Sequence, residues 1–174
     1  MHVNRVSGYC HALALAHGLT ADFAEQIQQA SPMHDVGKIG IPDMILLKPG
    51  KLNDDEFEIM KTHTTIGAKI LKGSKFDLMK MAYDIALGHQ EKWDGSGYPS
   101  GLSGEDIPIS ARIVAIVDVY DALLSKRPYK DKWPVKKIIN IINEQSGTHF
   151  DPSLVETFNR IVPKFLEISE KYEG

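Results

Sequence analysis

The sequence has only one cysteine, Cys10, so no disulfide can form within the chain, which fits a reducing compartment. Its longest apolar runs, such as residues 113–117, are far too short to span a bilayer. No charged start followed by an apolar stretch marks a secretory leader. The net charge of −3 excludes a broad surface that coats nucleic acid. These absences predict a cytoplasmic protein with no DNA partner and no membrane segment.

The composition is that of an ordinary globular protein, with 43% apolar and 25% charged residues in 174 positions. This length predicts a single domain over residues 1–174. Helical periodicity dominates, and no segment shows a convincing strand period. We therefore expect an all-α fold, a compact multi-helix bundle with a long loop rich in glycine and proline at residues 91–108.

Capping residues mark several helix ends. Gly18 predicts the end of a first helix that begins at His2. Asn53 and Glu56 form a capping-box pattern that opens one long helix to residue 71. Asp151 and Pro152 predict the start of the last helix. The other helices are predicted at residues 20–34, 76–89, 109–125 and 135–145.

Polar side chains interrupt the apolar faces of these helices. His34 follows Phe23, Ile27 and Ala30, and His63 lies in step with Ile59, Ile66 and Ile70. The positions directed inward in this way are His2, His34, His63, His89 and Asp118. One such histidine is usually a hydrogen-bonded core residue, but an isolated buried aspartate loses hydration at a high cost. A shared cluster that binds divalent metal explains all these positions together.

The adjacent pair His34-Asp35 is the most informative part of this pattern. An aspartate can bridge two cations, each of which is also held by histidines from neighbouring helices. Two metal ions about 3.5–4 Å apart activate water for the hydrolysis of a phosphoester. The ligand types suit iron, manganese, nickel or zinc.

The chain resembles the HD-GYP family of HD-domain phosphohydrolases. The segment His34-Asp35-Val36-Gly37-Lys38 matches the HD signature, and His89-Gln90-Glu91 with Gly97-Tyr98-Pro99 matches the HD-GYP group. The likeness extends over essentially the whole chain. It implies a metal-dependent phosphodiesterase of bacterial signal transduction, located in the cytoplasm, that hydrolyses the second messenger cyclic di-GMP to pGpG, with further cleavage to GMP left open.

The resemblance also implies roles for individual residues. It assigns one metal ion, iron or manganese first, to His2, His34, Asp35 and Asp118. It assigns a second ion to Asp35, as a bridge, together with His63 and His89. Lys38 would contact the scissile phosphate or assist the leaving oxygen. The substrate-binding set comprises Arg127, Lys130 and Tyr98. We add Asp121 because it lies one helical turn from Asp118, where it either orients a ligand or a water or is a helix-surface or salt-bridge aspartate. The Gly97-Tyr98-Pro99 loop is a candidate contact for a diguanylate cyclase or an adaptor domain.

Two departures from the family pattern leave alternatives open. Gln90 stands where relatives usually carry a second adjacent histidine, so the second ion loses a strong ligand. The family's acidic residue four positions before His2 would fall ahead of Met1, so we expect the chain to lack part of its first helix, a third metal ligand and any upstream sensory or receiver domain. A weak or inactive receptor of cyclic di-GMP is therefore one alternative, and a phosphodiesterase of cyclic GMP-AMP or of another nucleotide is a second. A scaffold with a structural metal is a third.

Two loop residues have two readings each. Trp93 either stacks on a guanine base or packs the loop against the core. Glu91 either bonds a histidine ligand or holds the loop.

Overall fold

The computed structural model describes residues 2–125 and 133–172, with the side chain of His2 outside the description. Within these ranges the chain forms α-helices and short 3-10 turns and no strand, which confirms the predicted all-α class. The helices are α1 His2–Ala16, α2 Ala21–Ala30, α3 Asp43–Leu46, α4 Asp54–Lys61, α5 His63–Leu71, α6 Asp77–Gly88, α7 Ile109–Leu124, α8 Val135–Glu144 and α9 Pro152–Lys171.

Helix α7 lies at the centre of the bundle, and α1, α6, α8 and α9 pack against it. Its apolar surface is buried on almost all sides, as expected of a central helix. The core around it contains large side chains with no solvent exposure, among them Tyr9 of α1, Ile85 of α6 and Phe158 of α9. This rigid centre carries Asp118 and faces the helices that carry the histidines.

The predicted caps are confirmed. Gly18 takes a φ of +89° directly after α1. Both hydrogen bonds of the capping box between Asn53 and Glu56 are present at the start of α4. The Asp151 side chain accepts from the Ser153 N–H at 2.8 Å and caps α9.

The single long helix predicted to end at residue 71 is wrong, because the chain breaks at Thr62 into α4 and α5. The Thr64 hydroxyl donates to the carbonyl of Lys61 at 2.9 Å beside this break. Ile59 and Ile70 do not share a buried face with His63, because their side chains are 42% and 52% exposed.

The helix predicted over residues 20–34 is also shorter than expected. It ends at Ala30 and continues as the 3-10 turn Ser31–Met33, which has a proline in its first positions. His34 follows this turn and is not on the α2 face.

No helix in the part of the chain that the structure describes is long and apolar enough to cross a membrane.

Candidate metal centre

Three buried histidines from three separate elements converge at one end of the bundle. His34 follows the 3-10 turn after α2, His63 is the first residue of α5, and His89 directly follows α6. Their exposed fractions are 3%, 2% and 2%. Helix ends that meet in this way place three imidazoles in one water-poor site.

Backbone hydrogen bonds fix the tautomer of each ring. The Nδ1 atoms of His34 and His63 lie 2.7 Å from the carbonyls of Ser31 and Met60. The Nδ1 of His89 lies 3.0 Å from the carbonyl of Ile85. Because a carbonyl oxygen only accepts, each Nδ1 carries the proton, and Nε2 of the neutral ring carries the lone pair. This is the arrangement in which histidine binds a metal ion.

Asp35 lies between the three rings and directs its two oxygens to different histidines. Its Oδ1 lies 3.6 Å from His63 Nε2 and 3.7 Å from His89 Nε2. Its Oδ2 lies 3.4 Å from His34 Nε2. The two ligating nitrogens of His63 and His89 are themselves 3.4 Å apart. The ligand atoms of Asp35, His63 and His89 all fall within 4.8 Å of one another, a group that could hold a metal ion.

Asp118 of α7 joins the site on the other side of Asp35. Its Oδ1 lies 3.7 Å from His34 Nε2. Burial works to lower the pKa of His34, but the nearby carboxylates of Asp118 and Asp35 outweigh it and raise this pKa to about 10. The two carboxylates thus favour a positive charge at His34, and a metal cation supplies such a charge.

The other groups are held in their ligand forms at neutral pH. Burial, with repulsion from His34, lowers the pKa of His89 to about 4, and burial lowers that of His63. Burial works to raise the pKa of Asp35, but His34 and Lys38 lower it overall. Neutral imidazoles and ionised carboxylates form the set that divalent transition metals prefer. The residues present therefore fit a metal ion.

A close approach of two backbones sets the distance between Asp35 and His63. The 3-10 turn Val36–Gly40 packs directly on α5. A Cβ placed on Gly37 would fall 2.8 Å from the carbonyl carbon of His63 and closer still to the His63 oxygen and the Gly67 nitrogen. Only glycine fits at this position.

Lys38 is also part of the site. Its Nζ lies 2.6 Å from Asp35 Oδ2, and its side chain is 40% exposed. The ammonium group is thus beside the Asp35 carboxylate and partly exposed to solvent.

Glu91 holds the long loop that follows His89. Its carboxylate is buried and accepts from the N–H of Ser100 at 2.7 Å and of Leu102 at 3.1 Å. The described contacts of Glu91 thus correspond to the loop-holding reading. Trp93 anchors the same loop, since its backbone N–H donates to the backbone carbonyl of His149 and the Arg112 guanidinium lies over its ring. This is the packing reading of Trp93.

The anchored loop carries Tyr98 toward the cluster. Burial raises the pKa of Tyr98 to about 12, and the charges of Asp35 and Asp118 add to this effect. The hydroxyl therefore stays protonated and can donate. The Tyr98 ring meets the edge of Phe57, and Lys61 Nζ lies 5.5–5.7 Å from both ring centroids. Phe57 and Lys61 were not predicted as site residues, and their only signal in the sequence is their four-residue spacing just before His63.

Asp121 has a different position from the predicted one. It is fully buried and pairs with Arg5, so it is not placed to contact a substrate. Gln90 is half-buried beside His89, and its backbone carbonyl accepts from the Tyr98 backbone N–H at 3.2 Å. Arg127, Lys130 and the side chain of His2 lie outside the described residues, so their roles stay predictions.

The comparison with known families agrees with this geometry. The sequence model of the HD domain family matches residues 1–154. The chain therefore belongs to the HD domain family. The resemblance drawn from its motifs is confirmed, with relatives named as phosphodiesterases of cyclic dinucleotides.

Two curated relatives and one solved structure illustrate the similarity. A 3'3'-cGAMP-specific phosphodiesterase 2 of Vibrio cholerae is 52% identical over 96% of this chain and 32% of its own length. A cyclic di-GMP phosphodiesterase of Thermotoga maritima is 46% identical over 96% of this chain and 45% of its own length. An HDG"Y"P protein of Bdellovibrio bacteriovorus has the same fold, with a TM-score of 0.71 and 23% identity, over 93% of this chain and 51% of its own. The chain thus spans less than half the length of these two curated relatives.

Proposed function

We propose that this chain is a metal-dependent phosphodiesterase that hydrolyses cyclic di-GMP to linear pGpG; cleavage of pGpG to GMP is left open. The observation that carries the proposal is the orientation of Asp35, whose two oxygens face two different sets of histidines. A carboxylate in this position is suited to bridge two cations. The two proposed cations are iron or manganese ions, in agreement with the imidazole and carboxylate ligands.

The proposed ligands divide between the two sides of Asp35. His34 and Asp118, with the predicted His2, would hold one ion, and His63 and His89 would hold the other. When bound, the ions polarise the phosphate and lower the pKa of water. The chain supplies these histidine and aspartate ligands, its buried imidazole rings exclude bulk water, and the site keeps the carboxylates ionised.

Cations of the chain complete the proposed site. Lys38 gives up its contact with Asp35 and offsets the charge that develops near the leaving oxygen. Arg127 and Lys130 are proposed to bind the phosphates, because the guanidinium fork can take two phosphate oxygens. The protonated hydroxyl of Tyr98 is a further donor on the loop at the entrance.

A second cyclic dinucleotide is a specific candidate. The relative that is 52% identical is named for 3'3'-cGAMP, whereas the one at 46% is named for cyclic di-GMP. Both substrates have two phosphodiester charges and differ in one purine. The metal centre would treat them alike, so the choice between them rests on contacts with the bases.

Gln90 favours a weaker enzyme or a receptor as the remaining alternative. Its amide oxygen is a weaker ligand than an imidazole, so we expect the ion on the His89 side to bind less tightly. The variant Gln90→His should tighten metal binding and raise turnover. No change in either quantity would show that Gln90 does not limit the site.

The direct test is product analysis by liquid chromatography. Protein loaded with iron(II) under anaerobic conditions, or with manganese(II), is incubated in parallel with cyclic di-GMP, 3'3'-cGAMP and a nucleoside triphosphate. We expect pGpG from cyclic di-GMP, and no product with Asp35→Ala. Intact cyclic di-GMP with calorimetric binding would support the receptor. Faster cleavage of 3'3'-cGAMP would reassign the substrate.

A further inference from the structure

Arg5 of α1 and Asp121 of α7 form a buried two-point ion pair. Arg5 Nε donates to Asp121 Oδ1 at 2.7 Å, and Arg5 Nη2 donates to Oδ2 at 3.1 Å. The Arg5 side chain is 12% exposed and that of Asp121 is fully buried. Two parallel bonds fix the orientation of both planar groups, which a lysine cannot do.

The same guanidinium also contacts the end of α7. Arg5 Nη2 donates to the hydroxyl of Ser125 at 2.7 Å, and Ser125 is the C-terminal cap of α7. The predicted phosphate-binding residue Arg127 comes two positions after Ser125 in the chain. One side chain of α1 thus holds α7 and the point at which the chain leaves α7.

The pair lies one helical turn from the proposed metal ligands on both helices. Arg5 follows His2 by three positions, and Asp121 follows Asp118 by three. Three residues correspond to a rise of about 4.5 Å along an α-helix. The Arg5–Asp121 pair therefore joins α1 to α7 one helical turn from Asp118 along α7 and one turn from the predicted ligand His2 along α1.

Stability alone is a poor explanation for this pair. The surrounding side chains, such as Val6, Tyr9 and Tyr120, are apolar or aromatic and fully buried. In such surroundings the desolvation of a buried ion pair offsets much of its attraction, and well-packed apolar residues often serve equally well. What the pair adds is a fixed orientation of one helix relative to the other.

We propose that Arg5 is a positioning residue of the metal centre. Through Asp121 it sets the register of α1, which carries the predicted ligand His2, against α7, which carries Asp118. Through Ser125 it holds the C-terminal cap of α7. This inference rests on the proposed function only for the existence of the metal centre.

A matched pair of variants separates positioning from stability. Arg112 of α7 also forms a partly buried pair with an aspartate, since its Nη1 lies 2.7 Å from Asp151 Oδ2. Arg5→Lys and Arg112→Lys each disturb one arginine–aspartate pair that ties α7 to another part of the bundle. Manganese(II) binding to the full chain is measured by competition with a fluorescent chelator, and melting temperature by calorimetry.

We expect both variants to melt a few degrees below the unmodified protein. Arg5→Lys should weaken the binding of one manganese ion about 10–100-fold, the range found when outer partners of a metal site are removed. Arg112→Lys should leave both affinities within about twofold. Excess manganese should restore occupancy in Arg5→Lys.

Equal manganese affinities in Arg5→Lys and Arg112→Lys would overturn the inference. If Arg5→Lys does not fold, Asp121→Asn takes its place, because it keeps the size of the side chain, and the same loss is expected. Metal binding is measured without substrate, so a protein that binds manganese but hydrolyses nothing contradicts the proposed function and still tests Arg5. An unmodified chain that binds no manganese contradicts both.

Discussion

Replacing Gly37 by alanine tests how the site is assembled. The new Cβ would lie 2.8 Å from the His63 carbonyl carbon and nearer still to two other backbone atoms of α5. All three atoms belong to the backbone, so no side chain can rotate to make room. The turn that carries Asp35 must move away from α5.

The cost can be worked from this geometry. Extra methyl groups in a packed interior cost about 1–3 kcal/mol, and a clash with backbone belongs at the upper end, about 3 kcal/mol. For a chain of this size, each kcal/mol lowers the melting temperature by about 2–4 °C, so we expect a loss of about 6–12 °C. If the turn moves by on the order of 1 Å, Asp35 Oδ1 also moves away from His63 Nε2, which lies 3.6 Å from it in the unmodified protein.

The assay is calorimetric melting with manganese titration, and Gly8→Ala is the control. A Cβ on Gly8 meets only the side chain of Ile168, at 3.1 Å. Alanine inside α1 gains up to about 1 kcal/mol of helix propensity, so Gly8→Ala should melt at or slightly above the unmodified protein. If Gly37→Ala melts within 2 °C of the unmodified protein, by the same rough conversion, the close-packing argument is wrong.

Three further predictions concern single side chains. Lys38→Met should lower kcat by about 10²–10³-fold, the range for losing one group that stabilises developing charge, while the metal content stays the same. An unchanged kcat in steady-state kinetics would show that Lys38 takes no part in the chemical step. Glu91→Gln replaces one buried acceptor by a donor that faces an N–H, so we expect the free energy of unfolding to fall by about 1–3 kcal/mol. We also expect faster proteolysis within residues 95–103, and an unchanged cleavage rate would contradict the loop-holding role. Burial, then repulsion by Lys92, lowers the pKa of His149 from 6.5 to about 4, so the native state binds fewer protons than the unfolded state and loses stability as the pH falls from 6.5 to 4. In His149→Gln, the decrease in the free energy of unfolding over this pH range, measured with urea, should be smaller by about 1–2 kcal/mol, a value reduced for partial exposure. The same dependence on pH in both proteins would refute the assignment.

Local signals made most of the fold predictable. Capping residues act within four positions, so Gly18, the capping box at Asn53 and the cap at Asp151 were predicted where the structure has them. The break at Thr62 was not, because apolar spacing continues through it. Only the packed structure shows that Ile59 and Ile70 face solvent while His63 faces inward.

The site shows the same division. Histidine and aspartate among apolar residues are costly enough to mark function, so His34, His63, His89 and Asp118 could be chosen from the sequence, and Asp35 from its place beside His34. The helix faces predicted for His34 and His63 were nevertheless wrong, because α2 ends at Ala30 and α5 begins at His63.

The partner of Asp121 could not be predicted in the same way. Arg5 lies 116 positions away in the chain, and one turn of spacing from Asp118 favoured a role at the ligand site. Long-range pairing decides such cases.

The central claim is that Asp35 joins two metal ions into one hydrolytic centre. The most direct measurement is turnover of cyclic di-GMP as manganese(II) is added to the metal-free chain, from zero to three equivalents, with bound metal determined on the same samples. The account predicts that turnover rises to a plateau at two bound ions per chain, and that Asp35→Ala binds fewer ions and shows no turnover. Full turnover at one bound ion, or in Asp35→Ala with normal metal content, would contradict it.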